Sequence, residues 1–357
     1  MKILLVTLEF PPFKGGVSNY YYNLVKYWPK KDEILVLDNN QDQLMFKHSF
    51  LPWIKSFFTL FKKIRDKKFD YLIIGHILPL GTVAMLLSFI QPFKYAIIIH
   101  GLDFSKPLLN WRKRLILRMI LKRADKIICA NSYVTSLVKD FYPAINHKLK
   151  VVNPGIVSFA QEVEESKIRQ IKEKYKLKDS FVLFSLGRLV KRKGFDMVIK
   201  AVNELVKDYD IKYFIAGSGP DQTYLESLAK NQNQVSIYFL GSLSEEEKWT
   251  WMKIMDVFIM PARKIGPDFE GFGIVYLEAN LFKKPVIAGN SGGVGDAVIH
   301  NLNGLMVNPE NQEEIKLAIL NLKNNPHEGY VMGENGYKRS KNFSWEKQTQ
   351  LFYEIIN

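Results

Sequence analysis

Cysteine is almost absent from this 357-residue sequence, which contains a single one. One cysteine excludes a disulfide framework and any cysteine-rich zinc site. Low-complexity tracts and short-period repeats are also lacking, and a hydrophobic content of 47% excludes a disordered chain. At about 100–200 residues per domain, the length predicts about two domains, each large enough for its own core.

Acidic residues are scarce in the first half. Residues 1–157 contain 24 basic and 10 acidic side chains, whereas residues 158–357 contain 26 of each, so the first half carries the whole net charge of +14. Such a charge asymmetry indicates an anionic partner for the first half. Nucleic acid and an acidic membrane surface are the two classes of partner that fit.

Targeting signals and clear membrane spans are also lacking. The residues after Met1 do not form the long apolar region and small-residue cleavage site of a signal peptide. Tyr71–Phe93 has 23 residues without a charged side chain, which is long enough to cross a bilayer. Its Gly75, Pro79 and Gly81 favour instead a strand, a turn and a buried helix, with a spanning helix as the alternative.

Both halves alternate short runs of Ile, Leu and Val with amphipathic segments. The predicted strands of the first half are Lys2–Leu8, Ile34–Leu37, Tyr71–His76, Tyr95–His100, Lys126–Ala130 and Leu149–Val152. Those of the second half are Phe181–Leu186, Lys212–Ala216, Ser236–Leu240, Val257–Met260, Pro285–Ala288 and Leu305–Val307. The predicted helices are Val17–Trp28, Trp53–Arg65, Thr82–Ile90, Leu108–Arg123, Ser132–Asp140, Val163–Tyr175, Phe195–Lys207, Gln222–Ala229, Glu245–Met255, Ile274–Leu281, Glu313–Asn321 and Trp345–Ile356. Continuous apolar strands between helices indicate parallel sheets covered on both faces.

The predicted fold class is α/β, with two doubly wound domains. The first is expected over residues 1–157 and the second over residues 158–344, with the boundary just after Asn153-Pro154-Gly155. Doubly wound domains bind ligands at the carboxyl ends of their strands. Two such domains that face each other are therefore expected to leave a ligand-binding cleft between these ends.

The segment Glu270–Glu278, with the sequence EGFGIVYLE, places two glycines ahead of a predicted helix. The free N–H groups and the dipole at such a helix start suit a pyrophosphate, and glycine lets the backbone approach the ligand closely. Glu270 precedes the helix and Glu278 lies about one to two turns inside it, so the two carboxylates can reach different hydroxyl groups. A tight turn with a capping Glu is the alternative.

The segment Gly187–Gly194, with the sequence GRLVKRKG, follows a predicted strand at the same edge. Arg188 and Lys193 can both neutralise a diphosphate, Arg through a forked contact and Lys as a point charge. A solvated basic turn is the alternative interpretation.

Two segments of the first half follow predicted strands in the same way. Pro11–Val17 has neither the Gly-x-Gly-x-x-Gly fingerprint nor a phosphate-loop pattern, which counts against a nicotinamide enzyme or an NTPase. Gly15 and Gly16 still open a helix where a phosphate or a sugar could sit. His100 lies at the carboxyl end of a predicted strand and is expected to point into the cleft, with a satisfied core histidine as the alternative.

In their order and spacing, these motifs resemble those of the family-four retaining glycosyltransferases of the GT-B fold, which use nucleotide sugars. The resemblance spans nearly the whole chain and rests on Gly15-Gly16-Val17, His100-Gly101, Gly187–Gly194, Ala216–Pro220, Glu270–Glu278 and Lys284–Gly293. It implies two Rossmann-like domains facing across a central cleft, with the sugar nucleotide held mainly by the C-terminal one. It also implies that the final helix, within residues 345–357, crosses back onto the N-terminal domain.

The resemblance implies roles for residues of the C-terminal domain. Arg188 and Lys193 would hold the donor diphosphate, and Glu270 would contact hydroxyls of the donor sugar. Glu278 would bind the ribose, and Leu243 would pack on the base. The other donor-binding residues that it implies are Gly217, Gly271, Phe272, Gly273, Ile274 and Val275.

The resemblance also implies a contribution from the N-terminal domain. His100 would contact the donor sugar near its anomeric carbon, and Gly16, with Gly15 beside it, would approach the phosphates. Stabilising the charge that develops on the leaving nucleoside diphosphate is electrostatic catalysis. The expected catalytic set is His100, Glu270, Arg188 and Lys193.

Two segments need separate interpretation. The family is metal-independent, and no metal or other cofactor is expected here, because Asp208-Tyr209-Asp210 precedes a strand at the wrong edge and fits a solvated turn. The loop Ala262–Phe269 is basic and longer than the shortest family versions. It is expected either to close over the donor or touch the acceptor, or to be a plain surface loop.

Two windows of the first half carry most of its charge. Met45–Lys68 has a net charge of +6 and Lys106–Lys126 has +7. Both combine basic residues with aromatic or leucine residues, which is typical of amphipathic helices that lie on anionic lipid. Ordinary surface helices are the alternative. The residues expected on the membrane or acceptor side are Trp53, Lys55, Phe58, Lys62, Lys63, Trp111, Arg112, Lys113 and Arg114.

Together these patterns predict a cytoplasmic enzyme that is peripheral on the inner face of the cytoplasmic membrane. It would transfer a hexosyl unit from a UDP- or GDP-sugar to a lipid-linked glycan or glycolipid in cell-surface polysaccharide synthesis. A nucleic-acid-binding protein on an α/β scaffold and a GT-B enzyme with a soluble acceptor are the alternatives. Nucleic acid is not the expected partner, because no recognition-helix or ribonucleoprotein motif is evident.

Overall fold

The computed structural model describes residues 1–13, 15–30, 33–46, 51–66, 69–157, 162–230 and 236–357. These residues divide into two compact units. We call Met1–Gly155 with Ser344–Asn357 the N-terminal unit, and Ile156–Phe343 the C-terminal unit. Residue 158, where the second domain is predicted to begin, lies outside the described residues, as do parts of the basic window Met45–Lys68.

The N-terminal unit is built on a parallel sheet. Its strands are β1 (Ile3–Val6), β2 (Ile34–Leu37), β3 (Tyr71–Ile74), β4 (Lys94–Ile99), β5 (Lys126–Cys129) and β6 (Leu149–Val151). Their order in the sheet is β2-β1-β3-β4-β5-β6. Ile3 pairs with Ile34 on one side and with Tyr71 on the other. Every residue of β1 and β3 is buried, which explains why their sequences are continuous apolar runs.

Helices connect these strands. They are α1 (Gly16–Lys26), α2 (Ile54–Arg65), α3 (Leu80–Ile90), α4 (Leu102–Ser105), α5 (Trp111–Arg123) and α6 (Ser132–Phe141). The uncharged segment Tyr71–Phe93 contains β3, a turn at Pro79 and α3, so its interpretation as strand, turn and helix is confirmed. Across the described ranges, no helix combines the length and the apolarity needed to cross a bilayer.

Helix α5 begins later than the sequence pattern predicts. Pro107–Leu109 form a separate 3-10 turn instead of the first turn of the helix. The side chain of Asn110 then accepts hydrogen bonds from the N–H groups of Arg112 and Lys113, at 3.0 and 3.2 Å. This cap satisfies amides that have no partner inside the helix, and it fixes the helix start at Trp111.

The C-terminal unit contains a second parallel sheet. Its strands are β7 (Phe181–Leu186), β8 (Ile211–Ala216), β9 (Ile237–Gly241), β10 (Val257–Met260), β11 (Val286–Gly289) and β12 (Gly304–Val307). Their order is β12-β11-β10-β7-β8-β9, so each unit carries a six-stranded sheet. One face of this sheet packs through aromatic side chains, with Phe214 and Trp251 ring centroids 4.3 Å apart.

The helices of the C-terminal unit pack on this sheet. They are α7 (Glu165–Lys174), α8 (Phe195–Leu205), α9 (Gln222–Ala229), α10 (Glu245–Ile254), α11 (Ile274–Leu281), α12 (Val294–Ala297), α13 (Gln312–Asn324) and α14 (Pro326–Ser340). Helix α14 is absent from the sequence prediction. Its Gly329, Gly333 and Gly336 are poor helix formers, so the sequence pattern does not predict a helix here.

The last helix, α15 (Trp345–Ile356), belongs to the N-terminal unit. Its Phe352 lies edge-on to Trp28, with ring centroids 5.8 Å apart. Its Trp345 lies edge-on to Tyr20, with ring centroids 5.5 Å apart. All four aromatic side chains are buried. The end of the chain therefore completes the core of the unit in which the chain begins.

Candidate functional site

In the C-terminal unit, the predicted site residues follow the carboxyl ends of adjacent strands. The loop 187–194 follows β7, Gly217 follows β8, Leu243 lies shortly after β9, and the segment 261–273 follows β10. Because these strands are neighbours in a parallel sheet, the four segments lie along one edge. This is the edge at which doubly wound domains bind ligands.

The Glu270 carboxylate is the centre of a charged cluster at this edge. Its Oε2 accepts hydrogen bonds from Lys193 Nζ at 2.7 Å and from Arg192 Nη1 at 2.6 Å. Arg192 also forms an ion pair with Asp268, with 3.2 Å between Nε and Oδ1. The side chains of Glu270, Lys193 and Arg192 are 11%, 13% and 19% exposed, so most of this charge is shielded from water.

The charges in this cluster stabilise one another. Burial favours the neutral form of Glu270, but the charges of Lys193 and Arg192 and their hydrogen bonds hold its pKa below the ordinary value. For Arg192, burial is outweighed by the charges of Glu270 and Asp268, and the pKa of its guanidinium is raised. Glu270 is therefore an ionised carboxylate at neutral pH, able to accept hydrogen bonds from hydroxyl groups.

The two predicted diphosphate ligands differ in their surroundings. Lys193 ends the 3-10 turn Lys191–Lys193, and its Nζ donates to Glu270. Arg188 lies earlier in the same loop and is exposed to solvent. The structure thus places Lys193 at the carboxylate and leaves the Arg188 side chain at the surface.

Helix α11 begins directly after the predicted glycines. Gly273 precedes it with φ +81°, and a Cβ at this position would lie 2.3 Å from the Tyr276 ring, so the turn requires glycine. Among the described residues no side chain caps this helix start, which leaves amides of the first turn for an anion. The predicted residues around the helix start are Gly271, Phe272, Ile274 and Val275. Phe272 itself turns its ring into the core, 5.6 Å from that of Phe343.

Glu278 lies one turn inside α11, as predicted. Lys248 Nζ donates to its Oε1 at 3.1 Å, and burial, opposed by this lysine, raises the pKa of Glu278. Leu243 is half-buried after β9. The N–H of Gly217 donates to the carbonyl of Gly241 at 2.7 Å, so Gly217 shapes its loop and has no amide proton to offer a ligand.

The basic loop Ala262–Phe269 is anchored to the loop 187–194. Arg263 is 3% exposed, and its Nη2 donates to both carboxylate oxygens of Asp196 at 2.9 Å. Its backbone N–H donates to the Arg192 carbonyl at 2.8 Å. Arg263 therefore fixes the start of this loop beside the loop 187–194, whereas Lys264, Ile265 and Gly266 are exposed.

The predicted site residues of the N-terminal unit also share one sheet edge. Helix α1 begins at Gly16 after β1, with Gly15 as its N-cap, and within the described ranges no side chain caps it. His100 directly follows β4. Since β1 and β4 are both neighbours of β3, the glycines and His100 lie at the carboxyl edge of adjacent strands.

His100 is held by Tyr21 of α1. The Tyr21 hydroxyl donates to the carbonyl of Gly75 and lies 2.7 Å from His100 Nε2. Because the hydroxyl proton is engaged, His100 Nε2 donates to the Tyr21 oxygen, which leaves Nδ1 as the acceptor of the ring. Burial, together with His76, lowers the pKa of His100 to about 3. The imidazole is therefore neutral at physiological pH.

Helix α5 exposes an apolar stripe. Trp111, Leu115 and Met119 recur every four residues and are 66%, 52% and 49% exposed. Leu117 and Ile120 lie on the buried face of the helix. The exposed basic residues of this helix are the predicted Arg112, Lys113 and Arg114, together with Arg118, Lys122 and Arg123. The surface of α5 is thus apolar and basic at once.

Helix α2 exposes its predicted residues less uniformly. Phe58 is 64% exposed, and Lys62 is exposed. Trp53, Lys55 and Lys63 are half-buried, and Lys55 Nζ lies 5.3 Å from the centroid of the Phe46 ring. Of the two basic helices, α5 therefore exposes the longer row of large apolar side chains.

Three residues that support these sites are not among the predicted ones. Arg192 lies in a run of three cations, where charge alone does not distinguish it from its neighbours. Tyr21 lies in α1, far in sequence from His100, and no local pattern links the two. Asp103 Oδ1 accepts hydrogen bonds from the N–H groups of His100 and Gly101 at 3.1 and 2.7 Å. An Asp shortly after a strand-ending His is a signal that can predict such a turn.

The Asp-x-Asp segment Asp208-Tyr209-Asp210 lies directly before β8, at the amino edge of the sheet, as predicted. Asp210 Oδ2 accepts a hydrogen bond from Ser180 Oγ at 2.8 Å. In the part of the chain that the structure describes, no three His, Cys, Asp or Glu side chains are grouped so as to hold a metal ion. The absence of a metal requirement stays a prediction.

Both halves of the chain match known sequence families. Residues 14–157 match the family described as Glycosyltransferase Family 4, and residues 167–339 match the family described as Glycosyl transferases group 1. An uncharacterized glycosyltransferase of Methanocaldococcus jannaschii is 28% identical over 97% of this chain and 95% of its own. The GDP-mannose-dependent alpha-(1-6)-phosphatidylinositol monomannoside mannosyltransferase of Mycolicibacterium smegmatis is 28% identical over 99% of this chain and 98% of its own.

Solved structures share the fold along the whole chain. The crystal structure of Anabaena Alr3699/HepE in complex with UDP has a TM-score of 0.82 at 19% identity, and covers 100% of this chain and 99% of its own. A glycosyltransferase from Rickettsia africae has a TM-score of 0.80 at 19% identity, with 99% and 97% covered. At these identities the likeness shows a common fold.

Proposed function

Because the chain belongs to the family-four glycosyltransferases of the GT-B fold, we propose that it transfers a hexosyl unit, with retention, from a UDP- or GDP-sugar to a lipid-linked glycan or glycolipid. One observation carries the proposal. At the carboxyl edge of the C-terminal sheet, Lys193 and Arg192 converge on the Glu270 carboxylate just ahead of α11.

This edge combines the two kinds of group that a nucleotide sugar needs. Cationic side chains and the amides of a helix start suit a diphosphate, and an ionised carboxylate suits sugar hydroxyls. We assign Lys193 and Arg188 to the diphosphate and Glu270 to the sugar. Glu278 and Leu243 are assigned to the ribose and the base.

The proposed reaction breaks the bond between the anomeric carbon and the phosphate oxygen, and an acceptor hydroxyl forms the new bond. Negative charge then develops on the leaving nucleoside diphosphate. Lys193, Arg188 and the start of α11 would stabilise it, so no metal or other cofactor takes part in this proposal. His100, with Gly15 and Gly16, is proposed to contact the donor.

The proposed acceptor is carried by an anionic membrane. The Mycolicibacterium relative is named for phosphatidylinositol monomannoside, which is a glycolipid. In this chain, α5 exposes Trp111, Leu115 and Met119 among basic residues, and basic amphipathic helices bind anionic lipid through apolar burial and charge. We therefore propose a peripheral enzyme on the inner face of the cytoplasmic membrane, acting in cell-surface polysaccharide synthesis without a nucleic-acid partner.

Donor turnover by matched loop variants tests the proposal. Lys193→Ala and Glu270→Ala are expected to lower the rate of sugar transfer or donor hydrolysis about 100-fold or more, because each removes a charge that acts on the donor. Lys191→Ala is the matched control, since Lys191 is exposed in the same loop. Its rate is expected to stay within about twofold of wild type.

Nucleotide binding provides the second measurement. UDP or GDP is expected to raise the Tm of the wild-type protein, because a ligand of the folded state stabilises it. The Tm shift should be largely lost in Lys193→Ala. The donor site is wrongly assigned if neither nucleotide raises the Tm, or if Lys193→Ala and Glu270→Ala both turn over the donor at near-normal rates.

A further inference from the structure

Two cations share a single oxygen of Glu270. Lys193 Nζ and Arg192 Nη1 both donate to Oε2, at 2.7 and 2.6 Å. Lys193 is also the residue proposed to bind the donor diphosphate. A lysine ammonium that turns toward the phosphates leaves Glu270, whose side chain is 11% exposed. A buried carboxylate without a cationic partner is costly in free energy.

Arg192 is placed to remain with Glu270 when Lys193 turns away. Its Nε lies 3.2 Å from Asp268 Oδ1, an ion-pair contact without hydrogen-bond geometry, so its guanidinium lies between two carboxylates. A planar guanidinium that is hydrogen-bonded to one carboxylate and ion-paired with another has a preferred direction, whereas a lysine ammonium on a flexible stem is a mobile point charge.

The backbone around Arg192 is fixed as well. Its carbonyl accepts the N–H of Arg263 at 2.8 Å, and Arg263 is buried in its ion pair with Asp196. Asp268 is held in turn, because the backbone groups of Ile265 and Asp268 bond to each other at 2.8 and 3.1 Å. The loop that carries Asp268 is thereby anchored to the loop that carries Arg192.

We infer that Arg192 is a positioning residue for the donor sugar, which keeps Glu270 ionised and oriented while Lys193 binds the diphosphate, with Asp268 as its anchor. The inference rests on the proposed function. It predicts that the two neighbouring cations have different roles. Lys193 acts on the nucleotide part of the donor and Arg192 acts, through Glu270, on the sugar part.

Paired binding measurements test this division. The dissociation constants of the nucleoside diphosphate and of the matching nucleotide sugar are measured for wild type, Arg192→Gln, Arg192→Lys and the control Lys191→Gln. For Arg192→Gln, the dissociation constant of the diphosphate is expected to stay within about threefold of the wild-type value. Its kcat is expected to fall about tenfold to a hundredfold, because Glu270 is no longer held in place. The gain in affinity of the nucleotide sugar over the nucleoside diphosphate should also be smaller in Arg192→Gln than in wild type.

The pH profile separates positioning from a loss of packing. Removal of Arg192 takes away one of the two charges that favour ionised Glu270, so the acid limb of kcat/KM is expected to move to higher pH in Arg192→Gln. Arg192→Lys keeps the charge, so its acid limb should return toward that of wild type. Asp268→Asn should lower kcat as well, by a smaller factor than Arg192→Gln does.

The outcomes distinguish this inference from the proposed function. A wild-type protein that binds neither UDP nor GDP overturns both. A wild-type protein that binds one of them, with Arg192→Gln weakening the diphosphate and the nucleotide sugar equally, overturns the inference alone. The inference alone is also overturned if the acid limb of kcat/KM lies at the same pH in Arg192→Gln and wild type.

Discussion

At the scale of single residues, His100 shows how a polar side chain at a sheet edge acquires a defined state. Tyr21 engages Nε2 and donates its own proton to Gly75, so the tautomer follows from the hydrogen bonds. Burial and His76 keep the ring neutral. His100 is thus suited to accept a hydrogen bond at Nδ1, and it is not suited to provide a positive charge.

The lowered pKa of His100 predicts a loss of stability in acid. The folded protein binds this proton with a pKa of about 3, whereas an unfolded histidine has a pKa of about 6.5. Between these values the unfolded state binds more protons, so the stability falls as the pH drops, by at most about 1.4 kcal/mol per pH unit. His100→Gln, which retains a hydrogen-bond donor, should lack this loss.

Urea midpoints measured at several pH values between neutral and acid provide the check. The midpoint of wild type should fall toward that of His100→Gln as the pH is lowered. His327→Gln is the matched control, because His327 is exposed in α14. Parallel curves for wild type and His100→Gln would contradict the assignment of a buried neutral ring.

Arg192 marks the limit of sequence prediction at this scale. Resemblance to the family selects Lys193, and the charge pattern selects the run of three cations. Which of them faces Glu270 is decided by the 3-10 turn and by Gly194, which follows it with φ +75°. Such a turn depends on contacts made by the loop Ala262–Phe269, and these are not visible in the spacing of the sequence.

At the scale of elements, burial explains which segments the sequence predicts. The central strands of the two parallel sheets are mostly buried and apolar, and the edge strands β2, β6 and β9 stay largely apolar although they are only partly buried. All of the described strands are therefore predicted within a few residues of their bounds. Helix α14 is missed because of its glycines, of which Gly333 and Gly336 pack closely against neighbouring residues. A Cβ on Gly333 would lie 1.9 Å from the backbone oxygen of Lys283.

Two alanine substitutions in α14 should therefore have opposite effects. Gly333→Ala is expected to destabilise the protein by about 1–3 kcal/mol, since the new methyl group meets backbone that cannot move aside. At Gly329 the nearest atom, Pro285 Cγ, would be 3.6 Å from the Cβ, which is an ordinary contact. Gly329→Ala should be neutral, or stabilising by up to about 1 kcal/mol, because alanine is the better helix former.

Thermal unfolding of the two variants beside wild type measures this difference. Gly333→Ala should lower the Tm, and Gly329→Ala should leave it unchanged or raise it. Equal Tm values for the two variants would show that glycine in α14 is not required by packing.

At the scale of the whole molecule, charge and architecture divide between the two halves. The excess of 14 positive charges lies in the first half, whereas the charged cluster around Glu270 lies in the second, which is neutral. The sequence predicts two α/β domains but not the order of strands in each sheet. That order depends on long-range pairing, such as β1 between β2 and β3, which local patterns do not encode.

This charge distribution predicts binding to anionic vesicles through α5. The protein should float with vesicles that contain phosphatidylglycerol and be released as salt rises from about 0.1 M to about 1 M, since the Debye length falls from about 10 Å to about 3 Å. Trp111→Ser should weaken binding, because it removes the largest exposed apolar side chain of α5. Tyr330→Ser is the matched control, as Tyr330 is 61% exposed in the C-terminal unit.

Flotation at each salt concentration, with neutral vesicles beside the anionic ones, gives the answer. Equal recovery with both kinds of vesicle, or none with either, would count against an anionic membrane as the partner. Equal binding by Trp111→Ser and Tyr330→Ser would move the contact away from α5.

The position of α15 bears on how the protein is made. Trp345 and Phe352 complete the hydrophobic core of the N-terminal unit, although they follow the whole C-terminal unit in the sequence. Domains generally fold in order as the chain emerges from the ribosome. Because α15 follows Phe343, the C-terminal unit, whose residues are contiguous from Ile156 to Phe343, has its whole core available during translation before the N-terminal unit does.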